Sequence, residues 1–190
     1  MSAFGAPQLA SGFRTVRKNT IQVAQDIPEA QYDFVAAPGV QSVSQMLRHL
    51  VFAPYMYEKM HGENRIDTLQ GFDFGALIGE MAAREKEPRT KAEIITLLES
   101  EGERFAQWLE SLPESVLAEE LTDPMGKNPR SRLEHLTGAK EHEMHHRAQL
   151  MLVERILGIV PHLTRQREER RQAMAAAAAA AKPAATAVPA

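Results

Sequence analysis

Residues 131–161 read SRLEHLTGAKEHEMHHRAQLMLVERILGIVP, and the fold is decided on this stretch. Ser131 followed three residues later by Glu134 is a capping-box start, in which each side chain satisfies a free backbone donor of the first turn. Gly158 is the residue type at which helices stop, and Pro161 prevents continuation. The segment between them, Ser131 to Leu157, is predicted to be one long helix carrying His135, His142, His145 and His146. At 3.6 residues per turn, His142 and His146 stack on one face, where two imidazoles can reach a single divalent ion. His135 lies two turns before His142 on nearly the same face. His145 is rotated about 60° from His142, on the side away from His146.

Three more helices precede this one. Leu9 to about Asp26 places Leu9, Phe13, Val16, Ile21 and Val23 along a stripe, with Pro28 just beyond the end. Ser42 is a suitable N-cap for SVSQMLRHLVFAPYMYEKM, whose Val43, Met46, Leu47, Leu50, Val51 and Tyr57 recur at helical spacing. Pro54 removes one backbone donor there and predicts a kink. A long Gly-containing connection, His61 to Arg89, follows, with a short helix expected around Ala76–Arg84; a connection this long inside a domain often covers something. Thr90 and Glu93 form another capping box, opening a helix with Ile94, Ile95, Leu97, Leu98, Phe105, Trp108, Leu109 and Leu112 as its core stripe. Four long helices without a convincing alternating strand predict an all-α four-helix bundle with a long connection between its second and third helices.

The length of 190 residues suits one domain, drawn here as residues 1–165. Residues 166–190 form an Ala/Pro-rich tail, expected to be an exposed helix ending before Pro183 or a disordered extension. Mixed charge, with 22 Lys+Arg against 25 Asp+Glu, gives no footprint for nucleic acid or an anionic membrane surface. No apolar run approaches the ~20 residues of a membrane span, and the N-terminus lacks the apolar core of a secretory signal. The expectation is a soluble cytoplasmic protein. The absence of Cys excludes disulfides, thiolate metal sites and a cysteine nucleophile.

A third metal ligand in a bundle has to come from a facing helix. His49 is the best candidate, because Met46, Leu50, Phe52 and Ala53 surround it on an otherwise apolar segment. His61, beside Gly62, and His162, after Pro161, read as surface positions. A set of His49, His142 and His146 leaves coordination positions open, as catalytic metals require. His135, Glu143 and His145 are candidates to orient the ligands or move protons, with exposure the competing reading for His145 and a core polar role for His135. Tyr55 and Tyr57 near His49 could line a pocket, although packing is the first reading for both. His142-Glu143-Met144-His145-His146 also satisfies H-E-x-x-H, in which the glutamate serves as general base of a zinc peptidase. The extended metzincin form then needs a glycine and a histidine, and this chain has Gln149 and Leu152 there. That makes the peptidase the minor reading.

IQVAQDIPEAQYDFVAAPGVQSVSQMLRHL resembles the first helix, linker and second helix of the DinB-like (DinB/YfiT) four-helix-bundle superfamily. SRLEHLTGAKEHEMHHRAQLMLVERILGIVP is similar to its fourth helix, in which a His-x-x-x-His pair precedes Arg-Gly-Gln; here Arg147-Ala148-Gln149 replaces the glycine by alanine. The resemblance covers most of residues 8 to 162. It implies a divalent metal, often nickel, zinc or iron, on three histidines, which by position are His49, His142 and His146. It also implies a homodimer and a metal-dependent reaction on a small-molecule substrate. The expected reactions are those of a hydrolase or a low-molecular-weight-thiol S-transferase, in which a thiol cosubstrate brings the sulfur that this chain lacks. The alternative is a non-catalytic metal-binding stress-response bundle.

Overall fold

The computed structural model describes residues 4–63 and 65–180. Its helices are α1 (Ala6–Asp26), α2 (Val43–Phe52), α3 (Pro54–Glu58), α4 (Phe74–Lys86), α5 (Lys91–Glu110), α6 (Glu114–Leu117), α7 (Arg132–Ile156) and α8 (His162–Ala180). The bundle consists of α1, α2 continued by α3, α5 and α7. Helix α1 runs along both α5 and α7, and α2 lies against α5, α7 and α4. No helix among the described residues is long and apolar enough to cross a membrane.

The helix starts follow their side chains. Ser42 and Gln45 form a capping box at α2, and Thr90 and Glu93 form one at α5. At α7 only half of the expected box is made: Ser131 accepts from the Glu134 amide, but no return bond from Glu134 is present. Gly158, at φ 79°, ends α7 in a Schellman arrangement. The Ile159 amide donates to Glu154 O at 2.7 Å and the Gly158 amide to Arg155 O at 3.1 Å.

Pro54 splits the predicted second helix into α2 and α3, followed by a π-helical turn at Lys59–Glu63. Proline cannot donate to the carbonyl four residues back, so Leu50 O is released from the helix ladder. Arg17 of α1 takes it, Nη2 donating at 2.8 Å. The same guanidinium donates to Leu98 O of α5 at 3.0 Å and pairs through Nε and Nη2 with both carboxylate oxygens of Glu143 on α7 at 2.9–3.1 Å. Arg17 and Glu143 are almost wholly buried. One ion pair therefore joins all four bundle helices. It separates two apolar clusters, one around Phe13, Phe105, Leu109 and Leu136, the other around Val23, Leu47, Leu50, Ile94, Leu98 and Leu150.

Two expectations need correction here. A two-residue antiparallel hairpin, Glu120–Leu121 with Arg130–Ser131, precedes α7 where no strand was predicted. Its ends are tied to buried Arg132, which donates to Glu119 at 2.9 Å and to Ile66 O at 2.7 Å. His61 and His162 are core residues, 1% and 2% exposed, rather than surface ones. The π-helical turn rotates His61 inward, with Nδ1 3.3 Å from the Arg132 guanidinium. His162 opens α8 against α1, with Nε2 3.2 Å from Asn19 Oδ1. Helix α8 is largely exposed beyond that point, and the end expected before Pro183 lies outside the described residues.

Candidate metal centre

His49 lies near the end of α2, whose apolar face (Val43, Met46, Leu47, Leu50, Val51) is buried in the bundle. That burial turns His49 toward the line along which α2 meets α7. From α7, His142 and His146 project onto the same line. One ring nitrogen from each of the three lies within 4.8 Å of the others, and all three side chains are half-buried. His49 Nε2 is 3.1 Å from His142 Nε2. Two imidazole nitrogens held tetrahedrally at about 2.0–2.1 Å from one zinc ion would be about 3.3–3.4 Å apart, so the observed separation suits a shared ion.

Hydrogen bonds behind the rings fit the same purpose. His49 Nδ1 is 3.0 Å from Glu85 Oε1, and His146 Nδ1 is 2.8 Å from Gln149 Oε1. Both partners are acceptors, so each Nδ1 carries the proton and each Nε2 lone pair is left for an ion. Gln149 in turn donates from Nε2 to His145 Nε2 at 3.3 Å. Burial, reinforced by His49 and His146, lowers the His142 pKa to about 4. Burial also lowers that of His146, partly opposed by its bond to Gln149. Both rings are thus held neutral at physiological pH, the form a metal needs.

Glu85 and Gln149 were not among the residues picked out from sequence as parts of the site. Gln149 had a signal, since it stands one turn after His146 in the Arg-Ala-Gln triplet. Glu85 had only the length of the His61–Arg89 connection. That connection contains α4, starting two residues earlier and ending two later than expected, which packs on α2 and delivers Glu85 to His49. Arg48 fastens the end of α4 by donating to Glu87 O at 2.7 Å.

The other candidates divide. His145 is exposed and flanks the trio, its ring 5.1 Å edge-on from that of His146 and its Nε2 accepting from Gln149. His135 stands apart from it, its ring 5.7 Å from that of His61. Glu143 is turned away from the histidines into the Arg17 pair, so it cannot act as the base of an H-E-x-x-H site. Tyr57 is a core residue, and Tyr55 donates to Glu80 at 2.9 Å while Arg84 stacks on its ring.

The comparisons with known proteins agree with this architecture. The sequence profile of the DinB superfamily matches residues 13–150. The chain belongs to the DinB superfamily. It is 24% identical over 153 residues to the uncharacterised protein YjoA of Bacillus subtilis, spanning 80% of this chain and 90% of that one. The crystal structure of YjoA, a DinB-like protein, superposes with a TM-score of 0.58 at 22% identity, covering 80% of this chain and 92% of YjoA. A second Bacillus subtilis protein, YfiT, superposes with a TM-score of 0.62 at 18% identity over 84% of this chain and 91% of its own. YfiT is described as a probable metal-dependent hydrolase with an unusual four-helix bundle topology. Within this DinB-superfamily chain, the histidine trio is the one cluster of three His, Asp or Glu side chains among the described residues whose geometry could hold a metal ion.

Proposed function

We propose that this protein is a divalent-metal-dependent enzyme acting on a small molecule, with hydrolysis as the leading reaction. His49, His142 and His146 would hold the ion. The observation that carries the reading is the convergence of these three rings, with the Nδ1 protons of two engaged behind them. A divalent ion on three neutral ligands supplies Lewis-acid activation of water, a thiol or a carbonyl group. The chain itself orients the ligand nitrogens, through Glu85 and Gln149, and keeps His142 unprotonated by burial.

The description of YfiT favours a hydrolase over a thiol S-transferase. The transferase is retained as the second reading because the chain has no cysteine of its own and three ligands leave positions free for an external thiol. The test begins with protein purified without a His-tag and assayed for metal by mass spectrometry. Wild type is expected to bind about one equivalent, and His49→Ala, His142→Ala and His146→Ala to lose it. Unchanged metal content in His49→Ala would sink the site. Metal-loaded protein is then screened against esters and amides, and against thiols paired with a generic electrophile. Chelator-sensitive turnover of the first set alone supports the hydrolase.

A further inference from the structure

The two sides of the histidine trio differ in character. Beyond Glu85 lies a charged cleft of about 270 Å³, bordered by Arg48 and Lys86. Beyond His146 lies a larger one, about 440 Å³, whose wall is mostly apolar and contains no Asp, Glu, Lys or Arg. The second volume falls in the range of small-molecule sites.

Its construction has a direction. His146, Gln149, Leu152 and Ile156 succeed one another at three- and four-residue steps along one stripe of α7. The stripe runs about 15 Å at 1.5 Å per residue, from the proposed metal ligand to Ile156. Val40, from the segment that precedes α2, and Met46 of α2 form the opposite wall. Three of these apolar side chains remain unusually open to water: Leu152 at 59%, Ile156 at 53% and Val40 at 47%. The cleft's polar side chains are His146 and Gln149 on α7 and Gln41 next to Val40. An occupant matched to this cleft has a polar group at the His146–Gln149 end, where the cleft meets the trio, and an uncharged hydrocarbon part along α7.

We propose that the substrate of this centre is amphipathic, a carboxylic-acid derivative whose medium-length hydrocarbon group lies along Leu152 and Ile156. The proposal rests on the metal reading above and adds the substrate class to it. Continuity with the trio through His146, which borders both, is the reason for choosing a small ligand over a second copy of the chain.

The test uses the full chain loaded with zinc and a series of alkyl hydroxamates, acetohydroxamate to octanohydroxamate, titrated by calorimetry. The hydroxamate serves as the metal-binding head. A fully buried methylene contributes about 0.8 kcal/mol, or about fourfold in Kd, so this half-open cleft should tighten binding about two- to fourfold per carbon. Leu152→Glu and Ile156→Lys change exposed positions and should flatten that dependence, leaving zinc content and acetohydroxamate affinity unchanged. A flat series in wild type with one equivalent of zinc overturns the substrate class alone. A flat series together with a smaller sedimentation coefficient in Leu152→Glu assigns the face to a second copy and also overturns it. Failure to bind zinc overturns the metal reading, and this proposal with it.

Discussion

At the scale of single residues, a histidine is useful to a metal only if its proton is on the other nitrogen. Glu85 and Gln149 settle that for His49 and His146. Removing such a partner usually weakens metal binding 10–100-fold. Glu85→Ala is therefore expected to weaken zinc binding by about that factor, measured by competition with a chromophoric chelator, while Glu85→Gln, which keeps an acceptor, loses less. Equal affinity in Glu85→Ala and wild type would show that the bond does not orient His49. The convergence of the proposed ligands was legible in the sequence, since i, i+4 spacing fixes a shared face for His142 and His146 and the apolar surroundings of His49 mark its helix as the facing one. Glu143 shows where that legibility stops. It is about 100° round the helix from His142, and a helix inside a bundle is buried on more than one side. Spacing put His142 and His146 together, but only the packed neighbours decide that they face α2 while Glu143 faces Arg17 of α1.

At the scale of elements, three residue choices make room for one buried guanidinium. Pro54 frees Leu50 O, Glu143 supplies the opposite charge, and Gly102 supplies space, since a Cβ there would lie 2.7 Å from Arg17 Cγ. Gly102→Ala is expected to destabilise the fold by about 1–3 kcal/mol through overpacking, read from denaturant midpoints. Arg17→Met strands a buried carboxylate and should cost about 3–5 kcal/mol, whereas Arg17→Met with Glu143→Leu should recover most of it. A double variant no more stable than Arg17→Met would contradict that account. The sequence predicted a kink at Pro54 from its missing donor. It did not show which group would use the released carbonyl, because that group lies 33 residues away on another helix. Caps at Ser42 and Thr90 were legible for the opposite reason, being local exchanges of hydrogen bonds within one turn.

At the scale of the molecule, the packing of α8 and α1 against the end of α7 buries Glu154 completely, with neither carboxylate oxygen hydrogen-bonded. Burial, with Asp26 adding to it and Arg165 and Arg155 opposing, raises its pKa to about 7. The native state thus holds a proton that the unfolded chain releases near pH 4.5. This group's contribution to stability consequently falls as pH rises from about 4.5 to about 7. His61, held down to about 3 by burial and Arg132, acts in the opposite sense, since the unfolded chain takes up its proton below about 6.5. Relative to wild type, Glu154→Gln should gain about 2 kcal/mol between pH 5 and pH 8 in urea unfolding. A difference independent of pH would show that Glu154 is ionised in the folded protein. The fold class and the four long helices were readable from periodicity, but the inward turns of His61 and His162 depend on a π-helical turn and a docked helix that no local pattern encodes. The Arg17 pair also bears on heredity. Leu50 and Glu143, which hold the scaffold, directly adjoin His49 and His142, two of the three proposed metal ligands. A one-residue insertion or deletion close to these positions in α2 or α7 disturbs the buried ion pair and the histidine trio together, so the register of each helix is constrained twice over.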